Sequence, residues 1–232
     1  MRTTPYRSTG AAGFAGMIDH TLLKAGATRG DIKKLCGEAV RYGFYSVCVN
    51  PVNAALCRRA LKGSKVKVCL VVGFPLGACG TAAKVFETKE AVKAGADEID
   101  MVIDIGALKS GDTGLVLGEI KQIRSAARGK TLKVIIETAF LSKEEIRTAC
   151  LLAVAGGADF VKTSTGFAAG GANVPDVRLM RRTVGKKTGV KASGGIKDAG
   201  AFLKLIKAGA SRIGTSSSVK IIREIKGKNN ER

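Results

Sequence analysis

Apolar residues in this chain gather into eight short runs, at 17–20, 45–49, 67–72, 98–103, 132–137, 160–162, 190–192 and 212–214. Within each run nearly every position is apolar, the pattern of a strand buried on both faces rather than the alternation of a half-exposed one. Between the runs lie longer stretches of mixed polarity that predict helices at 28–42, 51–61, 82–94, 114–127, 143–155, 174–188, 198–208 and 217–225. Local punctuation supports these boundaries. Ser142 followed by Glu145 is a capping box, and Thr28 with Asp31 repeats the pattern. Ala94-Gly95-Ala96, Ala208-Gly209-Ala210 and the related Gly156-Gly157-Ala158 each stand just before a predicted strand. A glycine there ends a helix in the left-handed conformation and lets the chain turn tightly into the sheet.

Strands that alternate with helices imply parallel βαβ units. Eight such units in 232 residues fit a single α/β domain, a TIM (β/α)8 barrel, which typically needs about 250. An open doubly wound sheet is the rival. That fold has no reason to stop at eight units, and the Gly-x-Gly-x-x-Gly turn it usually carries after its first strand is missing here. The barrel is expected over 16–226, with residues 1–15 a flexible or loosely attached extension and 227–232 a short C-terminal tail.

Composition narrows the class. The chain is 45% hydrophobic and 25% charged, with 30 glycines and only 4 prolines, which suits repeated strand–turn–helix units. Its net charge of +20 raises the question of nucleic acid. The basic residues are spread along the chain and do not alternate with aromatics, so a basic surface suited to a phosphorylated small molecule is the preferred reading and no nucleic-acid partner is expected. Six cysteines without a Cys-x-x-Cys pair, and a single histidine, His20, argue against a zinc site. The cysteines read as small buried apolar residues in a reducing compartment. No apolar run reaches the roughly 18 residues of a membrane span, and a cytoplasmic location without membrane association is expected.

The ends of the predicted strands carry the candidate chemistry. In a TIM barrel the active site is built at the C-terminal face, from strand ends and βα loops. Those positions hold Asp19, Asn50, Gly73-Phe74-Pro75, Asp100, Asp104, Glu137, Lys162, Lys191 and Gly214-Thr215-Ser216-Ser217. Charges inside apolar strands are costly unless paired with one another or with a substrate, and a structural ion-pair network is the alternative to a catalytic one. Lys162 and Lys191 close the sixth and seventh runs. An isolated amine titrates near 10, and a second cation beside it favours the neutral, nucleophilic form that makes Schiff bases. Asp100 is placed to shuttle protons for such a pair. The glycine-rich turns Ser193-Gly194-Gly195 and Gly214 to Ser217, the second opening a helix, suit a phosphate, although a plain turn and a helix cap would use the same residues.

These segments together resemble the deoxyribose-phosphate aldolase family of class I (Schiff-base) aldolases. The resemblance runs from Ile18 to about Ile222, through Asp19-His20-Thr21-Leu22-Leu23, Val47-Cys48-Val49-Asn50-Pro51, Gly73-Phe74-Pro75-Leu76-Gly77, Glu98-Ile99-Asp100, Lys133-Val134-Ile135-Ile136-Glu137-Thr138, Lys162-Thr163-Ser164-Thr165-Gly166-Phe167, Lys191-Ala192-Ser193-Gly194-Gly195 and Arg212-Ile213-Gly214-Thr215-Ser216-Ser217. It implies a TIM-barrel lyase that cleaves 2-deoxy-D-ribose 5-phosphate reversibly in deoxyribonucleoside catabolism, without a metal or organic cofactor, and that forms a dimer or tetramer. It implies Lys162 as the Schiff-base lysine, Lys191 as the residue that tunes it, and Asp100 as the acid/base group working through a water. Asp19, Thr21 and Cys48 would lie near the substrate, as would Thr165 and Gly166. Gly194, Gly195, Gly214, Ser216 and Ser217 would hold its phosphate. The chain departs from the family pattern at Asp104, often Asn, which would add negative charge near the site. It departs again at Ala168-Ala169, commonly Gly-Pro, and at the C-terminus, which lacks the tyrosine some relatives place there. An aldolase for another phosphorylated sugar is the enzymatic alternative.

Overall fold

The computed structural model describes residues 10–230. Eight parallel strands close into a barrel in sequence order, β1 (Ile18–Leu22), β2 (Ser46–Val49), β3 (Lys67–Val72), β4 (Glu98–Val102), β5 (Thr131–Ile135), β6 (Phe160–Lys162), β7 (Gly189–Ser193) and β8 (Arg212–Thr215), with β8 returning to β1. This is the TIM barrel anticipated from the eight apolar runs. The helices are α1 (Ala11–Ala15), α2 (Arg29–Tyr42), α3 (Ala54–Ala60), α4 (Thr81–Lys93), α5 (Ile105–Lys109), α6 (Thr113–Ala126), α7 (Lys143–Ala155), α8 (Val174–Val184), α9 (Ala199–Ala208) and α10 (Ser218–Asn230).

Both anticipated capping boxes are present, Thr28 with Asp31 at α2 and Ser142 with Glu145 at α7. Where the elements differ from the sequence pattern, local chemistry accounts for it. The helix expected from residue 51 begins as a 3-10 turn at Pro51–Asn53, with Pro51 in the first turn, where its missing N–H costs nothing. The fifth strand stops at Ile135, two residues early, because Glu137 adopts φ 50° and turns the chain out of the sheet. Helix α8 ends at Val184, ahead of Gly185 at φ 67°. The extra helix α5 opens on Asp104, whose side chain caps it by accepting from the Ala107 N–H at 2.9 Å. The anticipated extension divides at residue 9: residues 1–9 lie outside the described residues, whereas Ala11–Ala15 fold as α1, with Phe14 buried edge-on against Phe202 of α9. Backbone helix continues in α10 to Asn230, past the expected limit of 226.

Valines, isoleucines and leucines of the strands meet those of the helices in one continuous core outside the barrel. That shell encloses a fully buried ion pair. Lys84 of α4 reaches Glu119 of α6 at 2.5 Å and donates to the Val102 carbonyl at 3.0 Å, while the other Glu119 oxygen accepts from the Asp104 N–H. Of the six cysteines, all free thiols, five are buried as expected and Cys79, in the β3–α4 loop, is exposed. Among the described residues, no helix is long and apolar enough to cross a membrane.

Candidate active site

The barrel's interior is polar where its outside is apolar. Register sets this up: Lys162 and Lys191 are directly opposed on β6 and β7, Asp100 and Lys133 on β4 and β5, and Cys48 and Cys69 on β2 and β3. Neighbouring strands lie about 4.8 Å apart, so opposed side chains on the inner face converge on shared partners.

Asp100 is the hub. Its Oδ2 accepts from Lys162 Nζ at 2.8 Å and from Lys191 Nζ at 2.7 Å, while its Oδ1 accepts from Lys133 Nζ at 2.7 Å and from the Cys69 thiol at 3.1 Å. Burial by itself would push the Asp100 carboxyl up, but Lys133, Lys162 and Lys191 hold it well below the usual carboxylate range. Asp19 sits one layer deeper, 2.5 Å from Lys191, and is held low by Lys191, Lys133 and Arg212 against the same cost of burial. Arg212 plugs the barrel floor. It donates to Asp19 at 2.8 Å and to Glu98 at 3.2 Å, and its guanidinium lies 3.5 Å from the Tyr45 ring centroid. Lys133 completes the network at 2.7 Å from Glu98.

The three lysines are not equivalent. Lys133 has carboxylate oxygens of Glu98 and Asp100 at 2.7 Å and of Asp19 at 3.8 Å, and Lys191 has both Asp19 and Asp100. Burial disfavours charge on each, yet these carboxylates keep both lysines strongly cationic. Lys162 pairs with Asp100 alone and is the one of the three whose side chain retains any exposure, at 3%. The interior thus sets four cations, Lys133, Lys162, Lys191 and Arg212, against three carboxylates, Asp19, Glu98 and Asp100. One positive charge is in excess, and Lys162 is the group least tied to a counter-ion.

Sequence reasoning anticipated Lys162, Lys191, Asp100 and Asp19, and the structure brings them into one cluster. It missed Lys133, Glu98, Arg212 and Cys69 as members. For three of them the signal was present: Lys133 interrupts an apolar run, Glu98 and Arg212 begin one, and Glu98 lies two residues from Asp100, on the same face of β4. Cys69, itself apolar, carried no such signal. Cys48 lies beside the cluster, its sulfur 4.0 Å from Asp100. The Thr21 hydroxyl donates back to the Asp19 carbonyl, and its side chain is half-buried beside His20 at a surface groove between α2 and β1. Glu137 uses Oε2 to accept from both the N–H (3.0 Å) and the hydroxyl (2.5 Å) of Thr165. Asp104 spends its carboxylate on the α5 cap, so the expected added charge serves a local backbone role. His20 bridges β1 to two helices, with Nε2 donating to Glu38 at 2.8 Å and Nδ1 2.9 Å from Ser218 Oγ.

The loops after β7 and β8, where a phosphate site is expected, are shaped by glycine. Gly194 and Gly195 both adopt positive φ, at 88° and 75°. A Cβ on Gly171 would fall 2.4 Å from the Gly194 carbonyl oxygen, so the β6–α8 loop can lie on this turn only with glycine there. Gly166 lies near the same turn, where a Cβ on it would stand 3.8 Å from Gly194 Cα. Gly214 has a different reason: a Cβ would come within 3.0 Å of Lys191 Cε, in the space that side chain needs to reach Asp100. Ser216 and Ser217 border a groove of about 520 Å³ that also carries Lys34, Lys220 and Arg223 together with Glu38 and Glu224, the latter 3.7 Å from Lys220. For a metal, the nearest arrangement among the described residues is Cys48, Cys69 and Asp100, whose donor atoms lie within 4.8 Å of one another. Three ammonium groups already face that carboxylate, and a bound cation would meet all of them.

Fold and site together define a TIM-barrel enzyme whose interior is organised around lysine amines. The model of the DeoC/LacD family of aldolases matches residues 15–222, and the chain belongs to that family. It is 59% identical over 213 residues to the deoxyribose-phosphate aldolase of Carboxydothermus hydrogenoformans, covering 90% of this chain and 93% of that one. To deoxyribose-phosphate aldolase 1 of Bacillus licheniformis it is 57% identical over 211 residues, covering 90% and 95%. Among solved structures, a putative deoxyribose-phosphate aldolase from Coccidioides immitis superposes with a TM-score of 0.92 at 40% identity, over 97% of this chain and 92% of that one. The tetrameric deoxyribose phosphate aldolase of Aeropyrum pernix does so at 0.87 and 32%, over 94% and 93%. The protein is an aldolase, a carbon–carbon lyase of the TIM-barrel class.

Proposed function

We propose that this aldolase cleaves 2-deoxy-D-ribose 5-phosphate reversibly to acetaldehyde and D-glyceraldehyde 3-phosphate, through a Schiff base on Lys162. The carrying observation is the unequal pairing inside the barrel: one excess positive charge, with Lys162 its most weakly held bearer. Loss of a proton from Lys162 balances four cations and three carboxylates and leaves a nucleophilic amine beside the Lys191 ammonium.

The neutral amine adds to the C1 aldehyde and water leaves, giving an iminium. Removal of the C3 hydroxyl proton then breaks the C2–C3 bond. Its electron pair moves into the iminium to form an enamine on Lys162, and C3 departs as the aldehyde of glyceraldehyde 3-phosphate. Protonation of C2 and hydrolysis release acetaldehyde and restore the amine. Asp100, kept ionised by its lysine partners, orients these groups and passes protons through a water, and Lys191 supplies positive charge where the leaving water departs. The turns at Gly194-Gly195 and Gly214 to Ser217 take the phosphate, supported by backbone N–H groups and by Lys34, Lys220 and Arg223 in the adjoining groove. Thr165 and Gly166 form the neighbouring wall. Assembly into a dimer or tetramer belongs to the same reading and agrees with exposed Leu151 and Val154 on α7 and Leu115 on α6.

The test is to incubate the protein with deoxyribose 5-phosphate and borohydride and to map the product by mass spectrometry. An ethyl group on Lys162 is the expected result. Folded protein with no lysine adduct would refute the Schiff-base reading.

A further inference from the structure

Two phenylalanines meet across the barrel mouth. Phe74 follows β3 and Phe167 follows β6, strands separated in the closed ring by β4 and β5. Their rings nonetheless touch edge to face, with centroids 5.3 Å apart and planes at 90°. A contact between such distant strands has to span the end of the barrel, over the two strands that carry Asp100 and Lys133.

Both feet of this span are built. On the β3 side, the Gly73 N–H donates to Glu87 at 2.7 Å, and Phe74 packs on the small apolar cluster Leu23, Cys48, Cys69 and Val71. On the β6 side, the buried Glu137 holds the Thr165 N–H and hydroxyl, and Thr165 Oγ1 in turn accepts from the Phe167 N–H at 3.1 Å. Glu137 keeps a positive φ of 50°, an uncommon conformation for this residue type, in the position that makes this contact. The remaining Phe167 surface is open, at 57%. The apolar cluster beneath Phe74 reaches the reacting end of the barrel: Cys48 lies 4.0 Å from the same Asp100 oxygen that binds Lys162.

We infer that the Phe74–Phe167 arch bounds the carbon-donor side of the site and restricts the aldehyde on Lys162 to one with an unbranched C2. This rests on the Schiff-base reading above. Of the substituents on C2, one points along the bond that is broken or made to the acceptor, a direction that must stay open. Any other carbon on C2 turns toward the walls, and the arch with its apolar cluster is the wall on this side. Acetaldehyde has only hydrogens there. 2-Methylpropanal carries two methyl groups on C2, and one of them must meet the wall.

The experiment compares borohydride trapping of Lys162 by acetaldehyde and by 2-methylpropanal, in wild type and in Phe167→Ala, with adducts mapped by peptide mass spectrometry. Phe167 is largely exposed, so its truncation leaves the core intact, and Phe167→Leu provides an intermediate wall. A methyl group against an apolar pocket discriminates by roughly ten- to two-hundredfold. The ratio of 2-methylpropanal to acetaldehyde trapping should therefore rise about tenfold or more in Phe167→Ala, with Phe167→Leu between the two. An unchanged ratio, with acetaldehyde still trapped on Lys162, would overturn the arch and leave the Schiff-base reading standing. Failure of acetaldehyde to label Lys162 in wild type would bring down both.

Discussion

Two regions of this molecule bury lysine–carboxylate pairs, and they are arranged differently. In the helix–sheet shell, Lys84 and Glu119 form a closed pair: one cation, one carboxylate, with the spare donor and acceptor capacity used by the Val102 carbonyl and the Asp104 N–H. Inside the barrel, four cations share three carboxylates, and no assignment of partners satisfies all of them. The shell pair ties the ends of β4 and the adjoining loop to α4 and α6. The interior network holds a charge it cannot neutralise unless a proton leaves. In the function proposed above, the balanced pair serves structure and the unbalanced network serves reactivity, because Lys162 is the barrel lysine with a single counter-ion.

This contrast can be broken most severely at Lys162. Lys162→Arg keeps the charge and the pairing with Asp100 but removes the amine, and aldol cleavage should fall by about a thousandfold or more while the thermal midpoint stays close to wild type. Residual turnover near the wild-type rate would place the nucleophile elsewhere. At the shell pair the expectation is reversed. Lys84→Met strands the Glu119 carboxylate in the core and should cost about 3–5 kcal/mol in denaturant unfolding, whereas Lys84→Met combined with Glu119→Leu should recover most of that loss. A double variant no more stable than the single one would mean that the pair itself, rather than the cost of an orphaned charge, supports the shell. The smallest effect sharpens the interior argument. Lys191→Leu leaves three cations against three carboxylates, so nothing is gained by losing a proton from Lys162. The acid limb of the pH–rate profile should then move upward by about one unit or more. A profile that falls in amplitude without shifting would show that Lys191 acts through geometry alone.

Much of the fold could be read from pattern, because continuous apolar runs alternating with capped helical stretches have few ways to bury themselves. The strand at 160–162 was located to the residue, and the capping residues Thr28 and Ser142 did what their spacing implied. Boundaries failed where one residue overrode the run, as Glu137 does by leaving the sheet and Asp104 by starting a helix. Within the site, Lys162, Lys191 and Asp100 stood out because each closes or interrupts an apolar strand. Lys133 interrupts a strand and Arg212 opens one, yet neither could be joined to the site from sequence, since a partner on a strand dozens of residues away leaves no trace in local spacing.

What the sequence alone determined is therefore the number and type of elements, the barrel they imply, and which lysines and aspartate to look for inside it. These follow from two local quantities, the period of apolar residues and the cost of putting a charge among them. Tertiary structure alone decided how those charges share partners. Strand register placed Lys162 opposite Lys191 and Asp100 opposite Lys133, and closure of β8 on β1 added Arg212 and Asp19 to the same network. It likewise brought Phe74 and Phe167 together over the mouth. Coulombic pairing and ring contact depend on distances of a few ångströms between residues far apart in the chain, and only the closed barrel sets those distances.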